Sequence, residues 1–540
     1  MEHMNEQRPT FTLLMPLMLA LALGTGLVIG YLSGGQHSSG AAAIFDRAPS
    51  PSEKIGQVID LIERDYVDSV EEGRLTDEVI QDLLQRLDPH SYYLSTEDLR
   101  AAVEPLEGSF EGIGVEFTIQ RDTIIVIAPV EGGPSAALGI LAGDRIVSAD
   151  GKNLAGVGIT NEDVMKHLRG PGGSTVTIGL MRKGKNKPFD VEVERGKVPI
   201  NSVAVALMTD QNTGYIKVVR FAKTTTEEFA EAAEKLLGQG MKRLVLDLRG
   251  NGGGYLDAAI AMADEFLPKG STILYTEGRN HPRKTDRATT MGVLEEIPLA
   301  VLIDEGSASA SEIVAGAIQD NDRGTIIGRR TFGKGLVQEH RDLPDSSAVR
   351  LTTARYYTPS GRSIQKPYGE GIDYDEDYSE RTQHGELLSA DSIKVDSAQI
   401  FTTKGGRTVF GGGGIVPDVF VPADTAQGSG YLSELVFTGT LNQFAFDLAD
   451  RDRRNFEVMG SAQAFRTGYQ VQEPVLSELV QYASHEGIPP RAGEYQRSKR
   501  IIAQRLKAAI SRNIWGNEGY YPIALESDSI FLKAVERLGR

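Results

Sequence analysis

Between residues 214 and 330, short apolar runs alternate with stretches of helical periodicity, and this alternation constrains the fold more than any other feature of the chain. "GYIKVVRF" (214–221), "RLVLDLR" (243–249), "LAVLIDEG" (299–306) and "GTIIGRR" (324–330) read as strands. Glu227 to Leu237, Leu256 to Phe266 and Ser309 to Gln319 read as the helices between them. Strands that alternate with helices predict a layered α/β core, which "GGGGIVPDVFVP" (411–422) closes.

The flanks have other textures. From about Glu107 to Val198, short β-rich runs with turns ("GIGVEFTI", "TIIVIAPV", "TVTIGLMRKG") predict a separate compact unit. Before it, Ile55, Val58, Ile59 and Ile62, then Val79, Ile80, Leu83 and Leu84, recur at helical spacing. After the core, the chain from Tyr431 onward is mostly helical, with a basic amphipathic segment from Arg497 to Arg512. The acidic, unpatterned stretch Asp373 to Glu386 reads as an exposed insertion.

Residues 11–33 carry no charge, and that length suits a membrane span. Arg8 precedes the run and no Lys or Arg follows until Arg47, which orients the bulk of the chain outward. The alternative is cleavage after Ala41-Ala42-Ala43. Either way the working part is expected to be exported. With 57 basic against 74 acidic residues, the net charge is 57 − 74 = −17, which argues against nucleic acid as a partner. With no cysteine, disulfides, thiolate metal sites and a cysteine nucleophile are excluded.

Chemistry concentrates in "GSASASEIVAGA" (306–317). Ser309 to Glu312 fits the S-x-x-E capping box, so the serines could simply start a helix. One of Ser307, Ser309 and Ser311 could instead be a nucleophile, although the G-x-S-x-G elbow is not matched. A nucleophilic serine needs a base, and no histidine sits in a triad context; His340 reads as a strand-surface residue. A buried, neutral lysine can serve, and Lys334 in "TFGKGLVQ" lies between glycines in an apolar segment. Gln338, four residues on, can sit beside it in a helix or a strand. Oxyanion donors are available at the Ala310 N–H and in the glycine-rich turn "RGNGGGYLDAA" (249–259).

These blocks resemble the carboxyl-terminal processing peptidases, or tail-specific proteases, across roughly residues 52–422. The resemblance rests on "LDPHSYYL", "GIGVEF", "GDRIVSADG", "DLRGNGGG", "GSASASEIVAGAIQDN", "TFGKGLVQ" and "TPSGRSIQ", in that order. It implies a crotonase/Clp-like layered α/β protease core (199–425) with an inserted PDZ domain (107–198). An N-terminal anchor (1–35), a linker with a helical region (36–106) and a C-terminal helical extension of unread role (426–540) complete the organisation. It implies Ser309 as nucleophile, Lys334 as general base and Gln338 as the residue that orients the base. The oxyanion donors map onto Ala310 and Gly254, with Gly253 the alternative, because "RGNGGG" has glycines where relatives often carry Asn and Pro.

In the PDZ-like unit, Ile113, Gly114 and Val115 are expected to capture a terminal carboxylate while the peptide adds as a strand. Ile113, Val115, Phe117, Val164 and Leu168 would line an apolar pocket, and Arg169 is a further candidate contact. The expected partners are protein or peptide substrates with apolar C-termini and, through the N-terminal helix, the inner membrane, with the catalytic part extracytoplasmic. A second copy or an adaptor is left open for the helical extension. No metal or cofactor is implied. A catalytically silent PDZ scaffold and an acyl-CoA-handling enzyme are the rival readings, and the intact Ser309, Lys334 and Gln338 argue against both.

Overall fold

A computed structural model describes residues 11–33, 50–289, 292–369 and 371–539. The chain forms two compact units, Met1–Val79 and Ile80–Arg540. In the first, the uncharged run forms one helix, Phe11–Ser33. Not all its side chains are described, and among the described residues no helix is long and apolar enough to cross a membrane. Arg8, Arg47 and the Ala41-Ala42-Ala43 site lie outside the described residues. The helix Pro51–Asp65 starts from a capping box, with Glu53 Oε2 accepting the Ser50 N–H at 2.6 Å. Its apolar residues Ile55, Val58 and Leu61 remain exposed.

The alternating segments of the second unit build a six-stranded sheet in the order Val203–Met208, Thr213–Val218, Arg243–Asp247, Leu299–Ile303, Thr325–Gly328, Val419–Phe420. Its first pair is antiparallel and the remaining pairs are parallel. Strand side chains alternate between the faces. Leu244, Leu246, Val301 and Ile303 pack with the helices Thr225–Gly238, Leu256–Asp264 and Ala310–Asp320. Val245, Ala300, Leu302 and Ile327 pack on the other side against the C-terminal helix Ser529–Leu538. Cover on both faces is why these strands read as unbroken apolar runs.

A second sheet pairs Ala348–Tyr357 with Tyr92–Leu94, Thr272–Gly278 and Leu336–Asp342. The β-rich unit has its own core and an antiparallel sheet with Val115–Gln120 as one of its two edge strands. Its entering and leaving segments, Ser109–Gly112 and Gly196–Pro199, pair antiparallel, which joins the two ends as an insertion requires. The helices Gly430–Phe437, Thr440–Glu457, Glu473–His485 and Ala492–Ala524 share a further core.

The stretch Asp373 to Glu386 is mostly exposed, as its composition suggests, but it is not without structure. It carries the helix Asp377–Gln383, and Arg381 and Glu386 are buried. Arg381 Nε donates to Glu386 at 2.8 Å, and Arg330 reaches the same carboxylate at 2.7 Å. The acidic side chain is neutralised by cations, one of them 56 residues away, so it can leave water.

Candidate active site

The strand Leu299–Ile303 ends in a turn that delivers Ser309 to the start of the helix Ala310–Asp320. The three serines of that turn differ in what they hold. Ser307 Oγ donates to the Leu248 carbonyl at 2.9 Å, and Ser311 Oγ donates to the Asn251 carbonyl at 2.8 Å. Both are fully buried and fasten this turn to the glycine-rich one. Ser309 is partly exposed, with φ 55° and ψ −114°, a region that L-residues visit at a cost. It is the N-cap, and Glu312 reaches back to accept its N–H at 2.8 Å. The Glu312 N–H goes to the Ser309 carbonyl at 2.9 Å. Although Oγ lies over this turn as a capping box requires, it makes no cap hydrogen bond and stays available.

Glu312 does more than cap. Its buried carboxylate also accepts Thr331 Oγ1 at 2.5 Å and the backbone N–H groups of Gly333 and Lys334, each at 2.8 Å. One side chain therefore ties the serine turn to the lysine loop. Burial pushes its carboxyl up to about 7, against the pull of these hydrogen bonds. The buried Tyr356 hydroxyl bridges the same pair, donating to the carbonyls of Lys334 at 2.8 Å and Ser309 at 3.2 Å.

Burial pushes the Lys334 amine below its ordinary value, and the Arg350 charge acts in the same direction. Lys334 Nζ donates to Gln338 Oε1 at 3.0 Å. No hydrogen bond joins it to Ser309 Oγ, and such contacts commonly tighten only when substrate is bound. A bulge between Val337 and Gln338 re-aims the glutamine, whose Nε2 donates to the His90 carbonyl. That carbonyl sits in a turn where Asp88 accepts the N–H groups of His90 and Ser91 at 2.8 and 2.9 Å. The His90 ring lies against Tyr374 at 2.8 Å, and burial, with the Lys334 charge, pushes it down to about 4.

The glycine-rich turn closes the other side. Asn251 Oδ1 accepts the Gly253 N–H at 2.9 Å, so that donor is already engaged. Among the described residues, the N–H groups of Ala310 and Gly254 have no acceptor. A Cβ at Gly253, where φ is 104°, would come 2.8 Å from Ser309 Cβ and 3.0 Å from the Ala310 nitrogen. The structure thus brings Ser309, Ala310, Lys334, Gln338 and the Gly253–Gly254 turn together. Sequence reasoning assigned no site role to Glu312, Tyr356, His90 or Asn251. The S-x-x-E spacing and the "LDPHSYYL" block were the signals for Glu312 and His90, whereas a buried tyrosine or asparagine carries none.

At the mouth of the β-rich unit, Ile113, Gly114, Val115, Phe117, Val164, Leu168 and Arg169 line one cavity of about 360 Å³. Ser135 donates through Oγ, at 2.6 Å, to the Ile113 carbonyl and steadies the loop. The Gly114 N–H has no acceptor among the described residues. Ile113, Val164 and Leu168 also belong to the domain core. Arg169 pairs with Glu104 and lies 4.5 Å from the Phe110 ring centre.

An available serine, a partly buried lysine and two unengaged N–H donors, in a chain that also carries a β-rich unit with an open edge strand, belong to a serine peptidase. The comparisons agree. Residues 212–378 match the model of peptidase family S41, residues 112–193 match the PDZ domain, and residues 431–516 match a family of unknown function (DUF8443). The carboxy-terminal-processing protease of Bartonella bacilliformis is 39% identical over 317 residues, 58% of this chain and 72% of the relative. The carboxy-terminal processing protease CtpA of Bacillus subtilis is 34% identical over 318 residues, 59% of this chain and 67% of the relative. The solved photosystem II D1 C-terminal processing protease, 28% identical, aligns over 68% of this chain and 92% of its own, with a TM-score of 0.35. The chain belongs to the carboxy-terminal processing proteases of peptidase family S41.

Proposed function

We propose that this protein is a membrane-anchored, exported endopeptidase that takes hold of the C-terminal ends of protein substrates and cleaves them through an acyl-enzyme on Ser309. Ser309 Oγ attacks the scissile carbonyl and its proton passes to neutral Lys334 Nζ. The Ala310 and Gly254 N–H groups hold the oxyanion, and the lysine ammonium then protonates the leaving amine. Water, deprotonated by the same lysine, releases the acyl group. Gln338 aims the amine without adding charge.

The observation that carries this reading is the single Glu312 carboxylate that accepts both the Ser309 and Lys334 N–H groups at 2.8 Å. It holds nucleophile and base in one frame. Capture of a carboxylate by the PDZ domain is supported by the unengaged Gly114 N–H at the apolar cavity. Anchoring is supported by the uncharged helix Phe11–Ser33, whose 23 residues extend about 35 Å. The absence of Lys or Arg between Arg8 and Arg47 supports an extracytoplasmic catalytic part.

Labelling by a fluorophosphonate tests the mechanism. The full chain should be modified at Ser309, and Lys334→Ala should lose the modification while remaining folded. An unlabelled wild-type protein, or labelling elsewhere, overturns the assignment and favours a silent PDZ scaffold.

A further inference from the structure

The edge strand Val115–Gln120 borders two cavities, of which carboxylate capture uses only the first. Glu116 and Ile127 line both the terminal pocket and a second groove of about 610 Å³, so the two adjoin. The near wall of the groove is the rest of the edge strand, Thr118 to Gln120. Its far wall is the C-terminal helical region, through Asn442, Phe446, Tyr482 and Arg512.

We propose that this helical region, of which residues 431–516 match a family of unknown function, is the second wall of the peptide groove and reads the substrate segment upstream of its C-terminus. The proposal rests on the carboxylate capture proposed above. Strand polarity argues for this occupant. A carboxylate held at Ile113–Val115 leaves the rest of the peptide one direction in which to run, along the strand toward Gln120. The added strand is therefore antiparallel and advances about one residue per strand residue. Roughly four to six residues above the terminus, it enters the space between Gln120 and the helices.

That space is built to hydrogen-bond. The buried Gln120 Nε2 has no partner, and Arg512, exposed and 6.0 Å from the Tyr520 ring centre, forms no ion pair among the described residues. Both are donors, so the groove favours an acceptor side chain, an Asp or Glu. Glu116 and Glu486 also line it, which restricts the preference to the part that Gln120 and Arg512 face. The walls are clamped together. Lys183 Nζ donates to the Asp450 carbonyl at 2.8 Å, Arg145 lies 3.9 Å from the Asp450 carboxylate, and Arg121 lies 3.8 Å from Asp447.

The test measures fluorescence polarisation of labelled C-terminal peptides on full-length Ser309→Ala protein, which binds without cleaving. A ten-residue peptide with an apolar free terminus and Asp at the fifth position from its end should bind about tenfold more tightly than its last four residues alone. Asn442→Trp, which fills the groove from an exposed wall position, should bring that ratio close to one. Changing the peptide's Asp to Lys should weaken binding about fivefold, and Arg512→Glu should reverse the preference. A length ratio unchanged by Asn442→Trp, together with an Asp/Lys ratio unchanged by Arg512→Glu, overturns the proposal. If an amidated ten-residue peptide still binds worse than the free acid in that case, carboxylate capture stands and only the second wall is lost. If amidation makes no difference, the capture on which the proposal rests has failed as well.

Discussion

Lys334 and Glu312 carry opposite electrostatic problems within one site. The lysine amine is held below its ordinary value by burial and by Arg350, so the neutral form becomes available at lower pH than for a free lysine. Activity should therefore rise with pH through that lowered value. In the same window the unfolded chain binds more protons than the folded one, so stability also climbs with pH. Lys334→Arg should abolish turnover with the fold intact, because guanidinium stays charged. Appreciable kcat in that variant, measured beside its circular dichroism, would contradict a lysine base. Glu312→Gln replaces one acceptor oxygen by a donor where four donors converge. We expect a loss of about 3 kcal/mol in urea unfolding. A fall in kcat should accompany it, because the Ser309 and Lys334 backbones are no longer held in common.

At the scale of elements, the site is made where strand ends meet helix starts. Ser307 and Ser311 pin the serine turn to the glycine-rich turn, which leaves Ser309 as the serine whose hydroxyl is uncommitted. The turn from Arg249 to Tyr255 tolerates little. Gly253→Ala would push a methyl to 2.8 Å from Ser309 Cβ at a φ of 104°. The expected result is a kcat lowered about a hundredfold, the scale of disturbing one oxyanion donor. Backbone strain should cost about 1–3 kcal/mol of stability. Steady-state kinetics beside thermal melting separates the two effects, and a fully active variant would place the oxyanion elsewhere.

For the whole molecule, the unexpected dependence is of the catalytic sheet on the end of the chain. Phe531 meets Tyr215 edge to face at 5.6 Å on the sheet face opposite the serine helix. Asp528, at the start of the same helix, holds Arg249 of the glycine-rich turn at 2.7 and 3.0 Å. Burial alone would raise the Asp247 carboxyl, but Arg249 and Lys217 hold it well below the usual range. Phe531→Ala should destabilise the protein by about 3 kcal/mol, as emptying a core site does. The loosened Asp528–Arg249 contact should lower kcat as well. Unchanged unfolding would show the helix to be an appendage.

The sequence by itself determined the α/β core, the β-rich insertion and the helical tail, because apolar periodicity reports which faces leave water. The resemblance to a known family, carried by its motifs, marked Ser309, Lys334 and Gln338 as a set. The sequence could not choose among three serines on residue type alone, because the choice depends on which hydroxyls already have acceptors, and those acceptors lie 59 and 60 residues away. It read Asp373 to Glu386 as exposed, which most of it is, but gave no sign that Glu386 would be buried, because a cation that neutralises Glu386 comes from position 330. Only the tertiary structure placed Glu312 between Ser309 and Lys334, Ser529–Leu538 beneath the sheet, and the helical region opposite the edge strand Val115–Gln120. Each is a contact between residues far apart in the chain, and such pairings leave no period or spacing in a single sequence.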